Sequence, residues 1–252
     1  MIKKSIKFIF FPILGLIKQL IIVFQNHALP IKKTDKLLSY DLFEKDEILD
    51  SYKHFKKYFY NSIFLKRDQL RDYSIKRSIS NHEENDYYLE FGVFTGNSIN
   101  NFSKFLKKIN IYGFDSFEGL KEDWFGHVEG KEFMGGTHLY DLKKRIPKLN
   151  KNVIPVIGWA QDTLPKFIEN NKNMKINFIH MDMDTYPSTK FVLEKLKPYM
   201  KNNCIIIFDE IYNFSGWKVG EYKALSEVFK ENEYKFICFS MDGPQAVIEI
   251  IK

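Results

Sequence analysis

A chain of 252 residues, 44% of them hydrophobic, buries a full core and is most simply one domain with an appendage. Its two cysteines, Cys204 and Cys238, lie in strand-like runs, which excludes a disulfide framework and a paired-cysteine metal knuckle and makes a reducing compartment the expectation. The net charge of +6 belongs wholly to residues 1–40, and the neutral remainder shows no basic helix interleaved with base-stacking aromatics, so nucleic acid is not an expected partner.

Residues 1–40 form a basic and apolar arm, with Lys3, Lys4, Lys7, Lys18, Lys32, Lys33 and Lys36 against one acid, Asp35. Within it, residues 8–24 (FIFFPILGLIKQLIIVF) fall slightly short of the ~20 apolar residues a spanning helix needs. Pro12, Gly15 and the Lys18–Gln19 pair interrupt the run, and no small-residue cleavage site follows it. Three readings stand open: an interfacial helix with lysines on anionic lipid, a helix packed on the domain or on a second subunit of a homo-oligomer, and a true span. The location expected is cytoplasmic, at the inner face of a membrane where the arm makes peripheral contact.

Residues 41–86 read as a helical cap of two or three amphipathic helices, because Leu42, Phe43, Ile48, Leu49, Tyr52, Phe55, Phe59 and Ile63 recur near helical spacing. His54 and His82 read as solvent-facing or locally paired. From Tyr87 short apolar runs alternate with helical segments. Strands are expected at 88–91, 111–114, 153–157, 176–181 and 204–208. Helices are expected at 98–108, about 140–146, 162–170, 187–197 and 219–230. Tyr234–Ser240 and Gln245–Ile251 flank Met241-Asp242-Gly243-Pro244 as a hairpin. The pattern predicts an α/β fold: a Rossmann-like, doubly wound, mostly parallel seven-stranded sheet with an antiparallel C-terminal hairpin and an N-terminal helical extension.

The stretch Tyr88–Ser98, YLEFGVFTGNS, is a strand ending in an acid, a turn with Gly92 and Gly96, and the start of a helix. Glycines four apart let the backbone turn tightly and approach a ligand, and the helix start offers unpaired N–H groups. Downstream strands also end in acids: Asp115, Asp182, and the pair Asp209–Glu210. Taken singly, each acid has the helix cap as its bland alternative. Together they line the carboxyl edge of an open sheet, where such folds bind ligands. Glu90 and Asp115 suit a ribose diol. Asp182, Asp184, Asp209 and Glu210 repel one another unless a cation or proton intervenes, and hard oxygen ligands suit Mg²⁺ or Ca²⁺. His180 reads as a core histidine before it reads as a ligand.

In order, YLEFGVFTGNS, IYGFDSFEG, VIGWAQDTLP, FIHMDMDTYPST and IIIFDEIYNFSGW resemble the class I S-adenosylmethionine-dependent methyltransferases, and within them the macrocin or mycinamicin sugar O-methyltransferase type. The likeness covers about residues 87–252, which it marks as the S-adenosylmethionine-binding domain. It implies that the turn from Glu90 through Phe91, Gly92, Thr95 and Gly96 passes the methionine portion of the cofactor, with Ser98 beside it. Asp115 would take the ribose hydroxyls, with Ser116 and Phe117 next to the adenine and Ala160 and Gln161 against the base. Asp182, which also borders the cofactor, matches the metal triad with Asp209 and Glu210, and Asp184 resembles the metal ligand and base of the macrolide-sugar enzymes. Which of Asp182 and Asp184 touches metal and which is catalytic stays open. Where catechol O-methyltransferase carries a lysine base this chain has Thr185, so Asp184 is the expected base, with His127 and His138 as rivals.

The expected activity is therefore methyl transfer to a hydroxyl of a sugar or other vicinal diol, assisted by Mg²⁺, with a small-molecule or saccharide acceptor. The loop 116–140 contains Trp124, Phe125, Phe133 and Met134 and reads as a lid, with Trp217 as an opposite wall or a core residue. Two other classes compete. Met181–Asp184 contains the DxD of nucleotide-sugar glycosyltransferases, and an empty acid cluster would leave a non-catalytic membrane-associated binding protein. A dehydrogenase is disfavoured because the turn lacks the third fingerprint glycine.

Overall fold

A computed structural model describes residues 38–122 and 140–251. The chain divides into two units, Met1–Leu42 and Phe43–Lys252. The expectations for residues 8–24, for Trp124, Phe125, Phe133 and Met134, and for His127 and His138 lie outside the described residues. The expected location at a membrane's inner face is corrected: among the described residues no helix is long and apolar enough to cross a membrane. Helix α1 (Ser39–Phe59) has 21 residues, but Asp46, Glu47, Asp50 and Lys53 interrupt its apolar positions.

The second unit is an eight-stranded sheet with helices on both faces. After α1 come β1 (Ile63–Leu65), α2 (Arg67–Ser80), β2 (Asp86–Phe91), α3 (Asn97–Leu106), β3 (Ile111–Asp115) and β4 (Val153–Ile157). Then follow α4 (Ala160–Asn170), β5 (Lys175–Met181), α5 (Tyr186–Leu196), β6 (Met200–Phe208), α6 (Glu221–Val228), β7 (Tyr234–Ser240) and β8 (Ala246–Ile250). The strand order is β1-β7-β8-β6-β5-β2-β3-β4. Only β8 runs against its neighbours, β6 and β7, so the sheet is mostly parallel and closes with the expected antiparallel hairpin.

Side-chain alternation along the strands decides what each face covers. Leu89 and Phe91 of β2, Ile179 and Met181 of β5, and Ile206 and Phe208 of β6 point to one core, packed with Phe55 of α1, Leu164 of α4, Val192 and Leu196 of α5, and Leu225 of α6. Tyr88, Phe178, Ile205 and Ile207 point to the other, under Leu70 and Ile75 of α2 and Ile99 and Phe102 of α3. Glu90 and His180 share this second parity and sit side by side, since Glu90 pairs with His180 in the β2–β5 register. Both are therefore buried beneath α2 and α3.

Two expectations are corrected here, and the open choice for Trp217 is decided. An eighth strand, β1, lies in the segment read as purely helical and pairs in parallel with β7. The helix at about 140–146 is absent. Tyr140, Lys143 and Lys144 have positive φ, Asp141 Oδ1 accepts the Lys143 N–H at 2.6 Å, and Pro147 restricts the residue before it. Trp217 is buried against His54, Phe55 and Tyr222 and forms no wall of the crevice. His82 does pair locally, with the Tyr88 hydroxyl at 3.2 Å, whereas His54 reaches the distant Tyr222 hydroxyl at 2.5 Å.

Candidate active site

The strand order reverses between β2 and β5, and the crevice opens at their carboxyl ends. The hydrogen-bond ladder runs on past the strands: Gly92 N–H donates to Phe114 O (3.0 Å), Asp182 N–H to Phe91 O (2.9 Å), and Asp209 N–H to Met181 O (3.0 Å). These bonds bring the ends of β3, β2, β5 and β6 together. Gly92 has φ +88°, and a Cβ there would lie 1.8 Å from the Asp182 carbonyl oxygen, so only glycine fits. Gly96, at φ +78°, precedes α3 and packs against Leu149. Phe94, Phe117 and Asp184 also take positive φ beside the crevice, at 45°, 57° and 58°. Such strain is tolerated only where surrounding contacts hold it.

Beneath the crevice a line of charge runs from α3 to α2. The Ser98 hydroxyl donates to Glu90 Oε1 at 2.7 Å. His180 Nδ1 lies 3.4 Å from Glu90 Oε2, and its Nε2 lies 3.5 Å from Asp209 Oδ1. Arg71 Nη2 reaches the same Asp209 oxygen at 2.7 Å, and Gln245 Nε2 lies 3.3 Å from Oδ2. Burial alone would depress the His180 pKa, but Asp209 and Glu90 outweigh it and push it up to about 9. Asp209 is held well below the usual carboxylate range, since its burial is overridden by His180 and Arg71.

The acids facing the crevice behave in the opposite way. Burial, followed by repulsion from Asp209 and Asp184, raises Asp182 well above its ordinary value. Burial, followed by repulsion from Glu210 and Asp209, does the same to Asp184. Glu221, at the first position of α6, is buried and likewise raised by burial. Its Oε2 accepts the Glu210 N–H at 2.8 Å, while its Oε1 is buried with no hydrogen-bond partner among the described residues. Six carboxylates, Glu90, Asp182, Asp184, Asp209, Glu210 and Glu221, thus cluster with Arg71 and His180, and a dication would relieve their mutual repulsion. Asp182, Asp184, Asp209 and Glu210 all line the cavity, and this hard-oxygen donor set fits Mg²⁺. Ligand-capable atoms of His180, Asp182 and Asp209 lie within 4.8 Å of one another. His180 sits between the Glu90 and Asp209 carboxylates.

The cavity above encloses about 250 Å³. Of the residues expected at the cofactor, Gly92, Asp115, Ser116, Ala160 and Asp182 line it, joined by Phe94, Trp159 and Glu122. Glu90, Phe91, Thr95, Gly96, Ser98 and Gln161 are not among the lining residues. Glu90 and Phe91 are fully buried, with the Phe91 ring stacked on Phe114. Thr95 is exposed and Gly96 supports the turn. Asp115 Oδ2 accepts the N–H groups of Val93 (2.8 Å) and Phe94 (2.7 Å), and Oδ1 accepts that of Phe117 (2.6 Å). A carboxylate has about four acceptor positions, so about one remains for a ribose hydroxyl.

Four residues of the site were not singled out in the sequence. Glu122 accepts from Thr185 (2.8 Å), Ser188 (2.6 Å) and Gln161 (3.1 Å), tying the segment after β3 to the starts of α4 and α5. Arg71, Gln245 and Glu221 support the Asp209–Glu210 pair from α2, the β7–β8 turn and α6. Only Glu221, an acid at the start of a helix, left a local signal.

A family model described as a methyltransferase domain matches residues 89–211, which contain the turn, the cavity-lining acids and Glu122. No curated protein matches the chain. Among solved structures, the fold is similar to CalS11, a calicheamicin methyltransferase, at 21% identity and a TM-score of 0.57, over 81% of this chain and 85% of that one. The apo form of CalS11, described as a TDP-rhamnose 3′-O-methyltransferase, gives 20% identity and 0.52 over 81% and 86%. The O-methyltransferase NovP gives 18% identity and 0.52 over 73% and 79%. At these identities the structural likeness speaks for the fold.

Proposed function

This chain is an S-adenosylmethionine-dependent methyltransferase with the class I fold, and from that premise we propose that it methylates a hydroxyl of a sugar or other vicinal diol with a divalent cation at the strand-end carboxylates. The glycosyltransferase and non-catalytic readings give way to the methyltransferase-domain match. The observation that carries the proposal is the cluster of Asp182, Asp184, Asp209 and Glu210 on the cavity wall, next to the glycine turn. Acids there suit a cationic sulfonium donor.

Asp182, Asp209 and Glu210 would hold the cation, with Asp184 as a further ligand or as the base. When bound, Mg²⁺ supplies Lewis-acid polarisation of the acceptor hydroxyl. S-adenosylmethionine, when bound, would supply the methyl group, and Asp184, in the role of base, would take the proton of the acceptor hydroxyl. A carboxylate whose pKa is raised toward the working pH is a better proton acceptor than an ordinary one. Gly92, Asp115, Ser116 and Ala160 would seat the donor, and Glu122 with Gln161 closes its adenine end. Alignment of donor and acceptor in this pocket contributes much of the rate.

The saccharide class draws support from the diol-chelating geometry that such a cation imposes, and CalS11 is described as acting on a TDP-rhamnose. The test is release of S-adenosylhomocysteine with nucleotide sugars and catechols beside their monodeoxy analogues, with Mg²⁺ or EDTA. Diols turned over only with Mg²⁺ fit the proposal. Equal turnover of the monodeoxy compounds in EDTA would remove both the diol and the metal.

A further inference from the structure

The acid cluster carries its own permanent cation, delivered by a helix that precedes the matched methyltransferase segment. Arg71 belongs to α2, and its side chain is only 16% exposed. One terminal nitrogen binds Asp209 Oδ1 at 2.7 Å, while the buried Nε has no hydrogen-bond partner among the described residues. A guanidinium paired for strength usually engages a carboxylate through two parallel bonds. Here Nη2 bonds the inner carboxylate oxygen, and the charge also acts on Asp182 and Glu90. Asp209 does not depend on Arg71 alone for its position, since its N–H is tied to Met181 O and Gln245 approaches its other oxygen.

We propose that Arg71 is a resident counter-ion, which stabilises the clustered carboxylates when no dication is bound and keeps divalent-cation affinity low by occupying Asp209 with a like charge. This rests on the reading that the cluster takes Mg²⁺. A guanidinium cannot be deprotonated in a protein, so its charge is not shed when a second cation arrives. An arginine that only oriented Asp209 would act with the opposite sign, its loss weakening the metal by about 10–100-fold.

The experiment titrates MgCl₂ calorimetrically into wild type, Arg71→Gln and Arg71→Lys, each saturated with S-adenosylhomocysteine, and records thermal midpoints in EDTA and in Mg²⁺. Arg71→Gln should bind Mg²⁺ at least about tenfold tighter, because a nearby like charge is gone. Its midpoint in EDTA should fall below wild type, and Mg²⁺ should restore more of the loss than it adds to wild type. Arg71→Lys keeps the charge and should stay within about threefold of wild type, since the effect is one of charge and not of fork geometry. Should Arg71→Gln fold only with Mg²⁺ present, the proposal is supported; failure to fold with or without Mg²⁺ overturns it. Wild type binding Mg²⁺ with no tightening in the glutamine variant overturns this inference alone. No binding by either chain overturns the cation reading as well.

Discussion

Gly92→Ala tests whether the crevice depends on backbone contact between the glycine turn and β5. At φ +88° an alanine sits in the left-handed region, which costs about 1–2 kcal/mol. Its methyl would stand 1.8 Å from the Asp182 carbonyl oxygen, well inside contact distance, so the turn or the end of β5 must move. Overpacking of this kind adds about 1–3 kcal/mol, for a combined loss of roughly 2–5 kcal/mol. For a domain of this size each kcal/mol lowers the melting midpoint by about 2–4 °C, which gives a fall of roughly 4–20 °C. Moving Asp182 also disturbs a cavity wall, so affinity for S-adenosylhomocysteine should drop in parallel. The assay is urea unfolding and calorimetry on wild type, Gly92→Ala and a control, Gly220→Ala, whose added Cβ meets nothing nearer than 3.7 Å. The control should lie within about 1 kcal/mol of wild type. A Gly92→Ala protein as stable as the control, with unchanged affinity, would refute the close approach of the two strand ends.

Three further outcomes follow from the charges. His180 titrates at about 9 when folded against 6.5 when free, so its stabilising contribution is complete below pH 6.5 and lost as pH rises through 9. The stability gap between wild type and His180→Leu in urea should therefore be widest near pH 6 and narrow by pH 9.5; a constant gap would show an uncharged histidine. Asp182 and Asp184 hold protons above the ordinary carboxylate range, so Mg²⁺ binding must displace them. Calorimetry in buffers of different ionisation enthalpy should find proton release and an affinity that climbs with pH; a flat profile would contradict the raised values. Glu122→Ala removes the acceptor shared by Thr185, Ser188 and Gln161 and should cost about 1.5–3 kcal/mol of cofactor affinity, read as a roughly 10-fold or larger rise in the dissociation constant of S-adenosylhomocysteine.

Much of this site was legible in the sequence because each inner strand is a short apolar run ending at an acid, and parallel strands bring such ends together. Asp182, Asp184, Asp209 and Glu210 were placed that way. The burial of Glu90 was written in the same alternation: it shares parity with Tyr88, which places it beneath α3 beside His180. Arg71 was hidden because its partner Asp209 lies 138 residues away and nothing local marks one charged residue of an amphipathic helix as buried. Gln245 was hidden for the same reason. Three residues of β1 are too few to show alternation between two helices, and its pairing with β7 exists only in the folded chain. Around 140–146 the expected helix does not form, since the Asp141 side chain caps the backbone locally and Pro147 prevents continuation.

The central claim, a sulfonium-donor methyltransferase whose strand-end carboxylates take a cation, is tested most directly by calorimetry of S-adenosylhomocysteine with and without Mg²⁺, on wild type and Asp209→Asn. Wild type should bind the cofactor product and, with it present, Mg²⁺; the asparagine variant should keep the first and lose the second. Failure of wild type to bind S-adenosylhomocysteine in either condition would contradict the account at its root, and unchanged Mg²⁺ affinity in Asp209→Asn would contradict its metal centre.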